Sequence, residues 1–308
     1  MENKKIVLCG CQQIGVTLIE QLYAAGIYID HIVTITQEKA EQQKVSGYVN
    51  YEDIANRYNI PVYHAEKYTL KSISDERFFV DNKFDLLIQG GWQRLFPDVV
   101  LSSISFGAIG VHGSADFLPK GRGRSPINWS IIEGKKRFIF HFFIMKPGID
   151  DGNIFHIEMV DINEWDDCET IYLKNTLVTA KCIISNIELL FNGSLVTYEQ
   201  VGEPTYYPKR TPDDGKINFN WDVHQVHDFI RAMSKPYPGA YGFVNGNKIT
   251  IWKAQPFDTR IDSMSHQIGE ITYKEDYRFI VKVAAGLMLV TDFSIENNYQ
   301  LKLSDQII

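Results

Sequence analysis

The sequence predicts an α/β protein with a Rossmann-like, mostly parallel open sheet and a smaller, β-rich, OB-like domain at its C-terminal end. Two observations in residues 1–202 support the sheet: apolar runs typical of buried parallel strands, and intervening stretches with apolar residues at helical spacing. A third observation is a proline-rich break after residue 202, beyond which short strand-like segments predominate. A length of 308 residues also favours two domains over one.

The first three elements form a strand, helix, strand unit. Residues 5–10 (KIVLCG) are an apolar run that ends in glycine. Residues 14–25 place their apolar side chains near helical spacing, and Gly26 favours a helix C-terminus there. Residues 30–36 (DHIVTIT) predict a second strand, so the crossover should be right-handed and the two strands parallel.

The same alternation continues to residue 190 and completes the predicted first domain, residues 1–202. The predicted strands are 60–63, 84–88, 107–111 and 138–144, and the predicted helices are 51–58 and 170–190. The pattern does not fix the chain direction after 60–63. Together these elements predict an open sheet with helices packed on it.

The second domain follows a predicted linker of residues 203–221. The stretch EPTYYPKRTPDDG contains three prolines in thirteen residues, which disfavours regular structure. Residues 222–308 then predict one helix and a small β-barrel or sandwich. The helix is 222–233, and the strands are 242–244, 248–254, 269–273, 279–283 and 287–291.

Composition excludes several classes of protein. Apolar residues at 44% and charged residues at 22% fit a globular chain rather than a disordered or fibrous one. The formal charge of −7 gives no overall positive field for a nucleic acid, which weakly disfavours that partner. The four cysteines have no metal-ligand spacing and predict reduced, buried thiols without a metal. No segment approaches the roughly 20 apolar residues of a membrane span, so a cytoplasmic protein without a membrane partner is expected.

A glycine-containing turn joins the first strand to the first helix. Residues 10–15 (GCQQIG) could present backbone N–H groups to an anion. They lack both the G-x-G-x-x-G spacing and the lysine of a Walker loop. The sequence therefore favours an ordinary strand-to-helix turn over a nucleotide site.

The segment 107–129 (GAIGVHGSADFLPKGRGRSPINW) is the most unusual part of the chain. It concentrates glycines and polar groups directly after a predicted buried strand. Ligands of open α/β sheets bind beyond the carboxyl ends of the strands, which would place His112 and Ser114 beside a substrate. The alternative is that His112 is a hydrogen-bonded structural histidine and that the arginines belong to a solvated face.

A second polar segment, 146–154 (KPGIDDGNI), contains two adjacent carboxylates. Because neighbouring side chains point apart, only one of Asp150 and Asp151 can face His112. A carboxylate beside an imidazole orients the ring and prepares it for general acid–base chemistry. Aspartate in a glycine-flanked turn is also a common turn former, so a purely structural role stays open.

These two segments resemble motifs of the 10-formyltetrahydrofolate-dependent formyltransferases. HGSADFLPKGRGRSPINW is similar to the family signature H-x-S-x-L-P-x-x-R-G-x-x-P-x-N-W, and GIDDGNI to the D-x-G-x-I motif. Further similar segments follow in the family's order at 207–210, then TPDDGKINF, DFIRAMSKPYPGAYGF and NGNKITIWKA. The resemblance covers nearly the whole chain.

The resemblance implies transfer of a formyl group from 10-formyltetrahydrofolate to a primary amine, without a metal. By motif position, His112 and Asp150 are the implied catalytic pair. A base must take the proton of the attacking amine, and hydrogen-bond donors must stabilise the tetrahedral oxyanion. Ser114 and the backbone near Gly113 would help to place the substrate.

One departure from the family pattern concerns residue 110. The family usually has an asparagine two residues before the histidine, where this chain has Gly110. Gln89 or Gln93 could supply a side-chain amide instead. A further alternative is a catalytically impaired folate- or nucleotide-binding protein.

The folate pocket implied by the resemblance is lined by the strand and loop at residues 86–93. Leu87, Ile88 and Gly90 are the corresponding positions, and Trp92 could form a flat wall of the pocket. An apolar slot with backbone amides suits a pterin. The same residues could instead be a core strand and its turn.

The acceptor amine distinguishes two branches of the family, one acting on methionyl-tRNA and one on nucleotide-linked amino sugars. The tRNA enzymes resemble one another in a basic loop after the second strand, whereas residues 36–53 here are more acidic than basic. The segments SGYVNYEDIANRYNIPVY and GGWQRLFP look more like the sugar branch. The sequence therefore favours a nucleotide-linked amino sugar over tRNA, and the resemblance implies a homodimer.

A nucleotide-sugar needs a few cations for its diphosphate and an aromatic ring for its base. The candidate substrate-binding residues are Ser114, Lys120, Arg122, Arg124, Arg231 and Tyr237. Both the cations and the aromatic residue could instead have structural roles. Arg122 could bind backbone carbonyls, and Tyr237 could belong to a proline-rich turn.

Overall fold

The computed structural model describes residues 4–261 and 265–308, which form two compact units. The first unit comprises the described residues of Met1–Gly123, Phe138–Val160 and Tyr172–Tyr207. The second comprises those of Arg124–Arg137, Asp161–Ile171 and Pro208–Ile308. Each unit therefore contains segments that are separated in the sequence.

Helices and strands are interspersed through the first 191 residues, and strands dominate the remainder. In chain order they are β1 (Ile6–Gly10), α1 (Gln13–Ala24), β2 (His31–Thr34), α2 (Gln37–Gln42), α3 (Glu52–Tyr58), β3 (Val62–His64), α4 (Ile73–Asn82), β4 (Leu86–Gly90), α5 (Asp98–Ser102), β5 (Ala108–Ser114), β6 (Arg122–Gly123), α6 (Pro126–Ile132), β7 (Arg137–Met145), β8 (Gly152–Asp161), α7 (Cys168–Phe191), β9 (Tyr206–Tyr207), α8 (Val223–Ala232), β10 (Ala240–Val244), β11 (Asn247–Asp258), β12 (Ile271–Lys274), β13 (Phe279–Val283) and β14 (Gly286–Ile295).

A seven-stranded sheet in the order β3-β2-β1-β4-β5-β7-β8 forms the centre of the first unit. The pairs from β3 to β5 are parallel, whereas β7 runs antiparallel to β5. All five residues of β1 are buried, because helices cover both faces of a parallel sheet and apolar side chains are needed on each. The predicted Rossmann-like, mostly parallel sheet is confirmed.

The turn between β1 and α1 is closed by the phenol of Tyr51. Its hydroxyl donates to the carbonyl of Gln12 at 2.6 Å and also lies 3.1 Å from the carbonyl of Gly90. A Cβ atom on Gly10 would collide with the Gly90 carbonyl, and one on Gly15 would collide with the Tyr51 hydroxyl. The glycines of this segment therefore allow close packing, as expected of an ordinary strand-to-helix turn.

Several elements give little or no signal in the sequence. The helices α2, α5 and α6 have only six, five and seven residues, which is too short to develop a helical period. The strand β8 lies at the edge of the sheet, and its partly exposed side chains mix polar and apolar types. Helix α4 is marked mainly by its N-cap, where the Ser72 side chain accepts from the amide of Asp75.

The second unit contains a five-stranded antiparallel sheet in the order β10-β11-β14-β13-β12 and the helix α8. At the start of α8, Asp222 accepts hydrogen bonds from the amides of His224 and Gln225, and the Gln225 side chain reaches back to the Asp222 amide. This capping box fixes where the helix begins. The prediction of a smaller, β-rich second domain is confirmed.

All four cysteines are free and buried. Among residues 4–261 and 265–308, no helix is both long and apolar enough to cross a membrane. Within the same ranges, His, Cys, Asp and Glu form no group of three or more suited to a metal ion.

Candidate active site

The site is centred on His112 and Asp150, both in the first unit. His112 lies on β5 and is 7% exposed, and Asp150 lies in the turn that precedes β8. The His112 Nδ1 atom is 3.3 Å from Asp150 Oδ1. The other carboxylate oxygen, Oδ2, accepts a hydrogen bond from the Gly123 amide at 2.9 Å. The two side chains that the sequence analysis singled out are therefore in contact.

The second ring nitrogen of His112 also faces an acceptor. Its Nε2 atom is 2.8 Å from the carbonyl oxygen of Gly121, which can only accept, so Nε2 carries a hydrogen. When Nδ1 also carries a hydrogen, it donates to Asp150 and the ring is an imidazolium. When Nδ1 is free, it is the atom of the ring that can take up a proton. The contact with Gly121 thus fixes the ring and leaves Nδ1 as the reactive position.

Electrostatics favour the ionised form of Asp150. Burial alone would raise its pKa, but the hydrogen bond from His112, the charge of that ring, the Gly123 amide and the Arg122 guanidinium together lower it below the ordinary value. The carboxylate is therefore available to stabilise a positive imidazolium.

Arg122 and Gln200 hold the turn that carries the two aspartates. The Arg122 Nη2 atom donates to Asp151 Oδ1 at 3.3 Å and to Gln200 Oε1 at 2.6 Å. Gln200 in turn donates to the carbonyls of Asp150 and Gly152. Asp151 thus faces Arg122 while Asp150 faces His112, as expected for adjacent side chains. Gln200 carried no signal in the sequence.

A second histidine, His141, lies opposite His112 on the neighbouring strand β7. It is fully buried, and its Nε2 atom accepts a hydrogen bond from the Leu118 amide at 3.3 Å. Burial is the main cause that lowers the pKa of His141 to about 4, so the ring is neutral. The sequence analysis missed this residue, although a single polar side chain in the aromatic strand FIFHFFI was a usable signal.

A cleft that is open to solvent lies beside Asp150. Its wall includes the apolar side chains of Phe96, Val111 and Phe143 and the polar side chains of Gln89 and Arg94. Apolar walls with a few polar groups are typical of small-molecule sites. Asp150 therefore faces both His112 and a space that can hold a ligand.

The four expected folate-binding residues lie next to this cleft in sequence but not in its wall. Leu87 and Ile88 are fully buried core residues of β4, Gly90 is buried against Leu8, and Trp92 is 2% exposed and packs edge-on against Tyr68. The same segment supplies Gln89 and Arg94–Phe96 to the cleft instead. Both faces of β4 belong to the core, and the cleft begins only at the carboxyl end of the strand, with Gln89.

The predicted substrate-binding residues have different surroundings. In the first unit, the buried Ser114 hydroxyl donates to the Lys120 carbonyl and accepts from the Asp116 amide, and the Lys120 side chain is exposed. Arg122 is buried and engaged as described above. The Ser114 hydroxyl therefore shapes the loop after β5.

In the second unit, Arg124 is exposed and Tyr237 is half-buried. The buried Arg231 guanidinium donates to Asp228 and to the carbonyls of Asn163 and Asp166. Its donors are therefore committed to neighbouring groups in the same unit.

The position of Gly110 is closely packed. A Cβ atom on Gly110 would lie 2.7 Å from Met145 Cε and 2.9 Å from Phe143 Cε2. Of the two glutamines considered as replacements for a side chain here, Gln89 lines the cleft. Gln93 points elsewhere, since its Nε2 atom donates to the carbonyl of Ser46 at 3.3 Å.

Comparison with known proteins gives consistent matches. Residues 4–187 match the family model described as Formyl transferase, and residues 209–307 match the model described as Formyl transferase, C-terminal domain. A curated methionyl-tRNA formyltransferase from Lactobacillus acidophilus is 25% identical over 285 residues, which are 92% of this chain and 88% of that protein.

Two solved structures show the same fold. HypX from Aquifex aeolicus superposes with a TM-score of 0.70 at 16% identity. The superposition covers 98% of this chain and 46% of the HypX chain, so this chain spans just under half the length of HypX. WlaRD, a sugar 3N-formyl transferase solved in the presence of dTDP and 5-N-formyl-THF, gives a TM-score of 0.62 at 17% identity. The match covers 97% of this chain and 100% of the WlaRD chain. At these identities the likeness concerns the fold alone.

Proposed function

Because the chain belongs to the formyl transferase family, we propose that it transfers a formyl group from 10-formyltetrahydrofolate to the primary amine of a nucleotide-linked amino sugar. Formyl transfer is the activity of the family, and 10-formyltetrahydrofolate is its cosubstrate. The identity of the amine and the roles of individual residues are the parts that we propose.

The contact between His112 and Asp150 beside the cleft is the observation that carries the proposed mechanism. The amine nitrogen bonds to the formyl carbon, and the resulting tetrahedral intermediate collapses when the bond between that carbon and folate N10 breaks. The amine loses one proton in this sequence and N10 gains one. His112 takes the proton at Nδ1 and passes it on, and Asp150 stabilises the imidazolium between these two steps.

The proposed sugar acceptor is supported by charge and by one structural neighbour. The chain carries 38 acidic and 31 basic residues, which gives no excess of cations for an RNA backbone. A diphosphate needs only a few, and Lys120 and Arg124 are exposed cations in the segment that follows β5. WlaRD, which shares the fold over its whole length, is a sugar 3N-formyl transferase.

Methionyl-tRNA is the second candidate acceptor. The relatives from Lactobacillus acidophilus and Ruminiclostridium cellulolyticum, at 25% and 27% identity over nearly their full lengths, are methionyl-tRNA formyltransferases. This similarity is the specific observation in favour of tRNA.

The acceptor is tested by turnover with a panel of substrates. The protein is incubated with 10-formyltetrahydrofolate and either dTDP- and UDP-linked amino sugars or charged initiator methionyl-tRNA, and release of tetrahydrofolate is followed. We expect turnover with at least one amino sugar and none with the tRNA. Turnover with the tRNA alone would refute the sugar proposal, and folate binding without turnover on any acceptor would indicate a binding protein.

The catalytic pair is tested with His112→Ala and Asp150→Asn. Each should lower kcat by at least about 10²-fold, the usual contribution of a positioned acid–base group. His156→Ala is the matched control, because His156 lies on β8, contacts Glu158 at 3.2 Å and is not part of the cleft wall. Near-normal kcat in either active-site variant, with folded protein, would remove that residue from the mechanism.

A further inference from the structure

The proposed reaction places a negative charge on the formyl oxygen, and the cleft has few side chains that can donate a hydrogen bond to it. A tetrahedral intermediate of acyl transfer is stabilised by donors that are already in place. The nitrogen donors on the side chains of the cleft wall are those of Gln89, Arg94 and Lys146. These three side chains are the candidates for donating a hydrogen bond to the formyl oxygen.

Each of the two cations has one recorded hydrogen-bond acceptor. The Arg94 guanidinium stacks on the ring of Tyr68, 4.6 Å from its centroid, and donates to the carbonyl of Gln93 at 3.1 Å. Lys146 is exposed, and its Nζ atom donates to Asn153 Oδ1 at 2.8 Å. Of the three, Gln89 is the one that lies on a strand of the central sheet, β4, so its backbone position is fixed by the sheet.

The sheet places Gln89 beside the catalytic pair. β4 and β5 are parallel, with Leu87 opposite Ala108 and Ile88 opposite Ile109. One residue further along both strands, Gln89 comes level with Gly110, which shares its face of the sheet with His112. The space over Gly110 is filled by the side chains of Met145 and Phe143, and Gln89 lines the same cleft as these two residues and Asp150.

The Gln89 amide is oriented before any ligand arrives. Its Nε2 atom lies 2.8 Å from the carbonyl of Trp92, which can only accept, so the nitrogen and not the oxygen faces it. An amide nitrogen has two hydrogens. Among the residues that the structure describes, no acceptor is recorded for the second one.

We propose that Gln89 is a catalytic residue, whose second Nε2 hydrogen is donated to the formyl oxygen as it becomes an oxyanion. The assignment rests on the proposed function, since it needs a formyl group in the cleft beside Asp150. The bond to Trp92 fixes one hydrogen of the amide and thereby aims the other. Gln93, four residues away and bonded to Ser46, has no such role.

The test compares Gln89→Met with the control Gln93→Met. Methionine keeps the length of the side chain and removes the donor. Gln89→Met should lower kcat by about 10² to 10³-fold, as for loss of one oxyanion donor, with little change in KM for the folate. Gln93→Met should behave like the wild type.

A spectroscopic measurement separates catalysis from structure. 10-Formyltetrahydrofolate with a ¹³C label in the formyl group is bound to each protein, and the C=O stretch is read by isotope-edited infrared spectroscopy. The stretch should move to higher frequency in Gln89→Met, because the donor is lost, and should not move in Gln93→Met. If Gln89→Met does not fold, Gln89→Glu, which donates no hydrogen when ionised, is used instead.

The outcomes distinguish this assignment from the proposed function. If the labelled folate does not bind to the wild type, the proposed function fails and the assignment fails with it. If the folate binds and the stretch is the same with and without the Gln89 amide, or kcat is unchanged, the assignment alone is overturned.

Discussion

The buried imidazole of His141 makes the stability of the protein depend on pH in a defined window. Burial lowers its pKa from 6.5 to about 4, and protonation would also turn the acceptor Nε2 into a donor facing the Leu118 amide. Between these two pH values the unfolded chain binds a proton at this ring and the folded chain does not. Stability contributed by the neutral ring is therefore complete above pH 6.5 and is lost as the pH falls toward 4.

The size of this effect follows from the shift in pKa. A shift from 6.5 to about 4, at 1.36 kcal/mol per unit, corresponds to about 3 kcal/mol of unfolding free energy between neutral pH and pH 4. His31 and His227 also have lowered pKa values from burial and act in the same direction. The contribution of His141 therefore has to be measured as a difference between two proteins.

The measurement is urea unfolding of the wild type and of His141→Gln at intervals from pH 7 to pH 4. Glutamine can accept the Leu118 hydrogen bond and does not titrate. The unfolding free energy of the wild type should fall by about 3 kcal/mol more than that of the variant over this range. Amide exchange in β5 and β7 should show the same difference. Parallel pH curves for the two proteins would refute the assignment of a neutral, buried His141.

Two further predictions concern packing and charge. Gly113→Ala should lower the unfolding free energy by about 1 to 3 kcal/mol, because the Cβ atom of alanine would collide with the ring of Phe138. Urea titration measures this loss, and unchanged stability would show that the Phe138 ring is free to move. Arg231→Met should cost about 1 to 3 kcal/mol in thermal unfolding, since it removes the donor from the partly exposed Asp228 carboxylate. Stable protein with a raised KM for the proposed nucleotide-sugar would instead make Arg231 a substrate ligand.

The sequence was sufficient for the fold and for the centre of the site. Buried parallel strands such as β1 and β4 are apolar on both faces, so they are visible without any structure. The proximity of His112 and Asp150 could be anticipated from motif position. The antiparallel entry of β7 was not predicted, because apolar composition does not specify strand direction.

The walls of the site were harder to predict than its centre. Leu87 and Gln89 share one face of β4, yet Leu87 is core and Gln89 lines the cleft, because the cleft begins only where the strand ends. Arg122 looked like a phosphate ligand in the sequence, whereas the structure engages it with Asp151 and Gln200, the latter 78 residues away. Pairings between remote residues depend on tertiary structure and leave no local pattern.

The phenol of Tyr51 closes the crevice at the first strand-to-helix turn, where many proteins of this architecture receive a pyrophosphate. A dinucleotide could enter there only by displacing that ring and breaking its hydrogen bonds. Abundant cellular nucleotides such as NAD and ATP should therefore not act as inhibitors at this crevice.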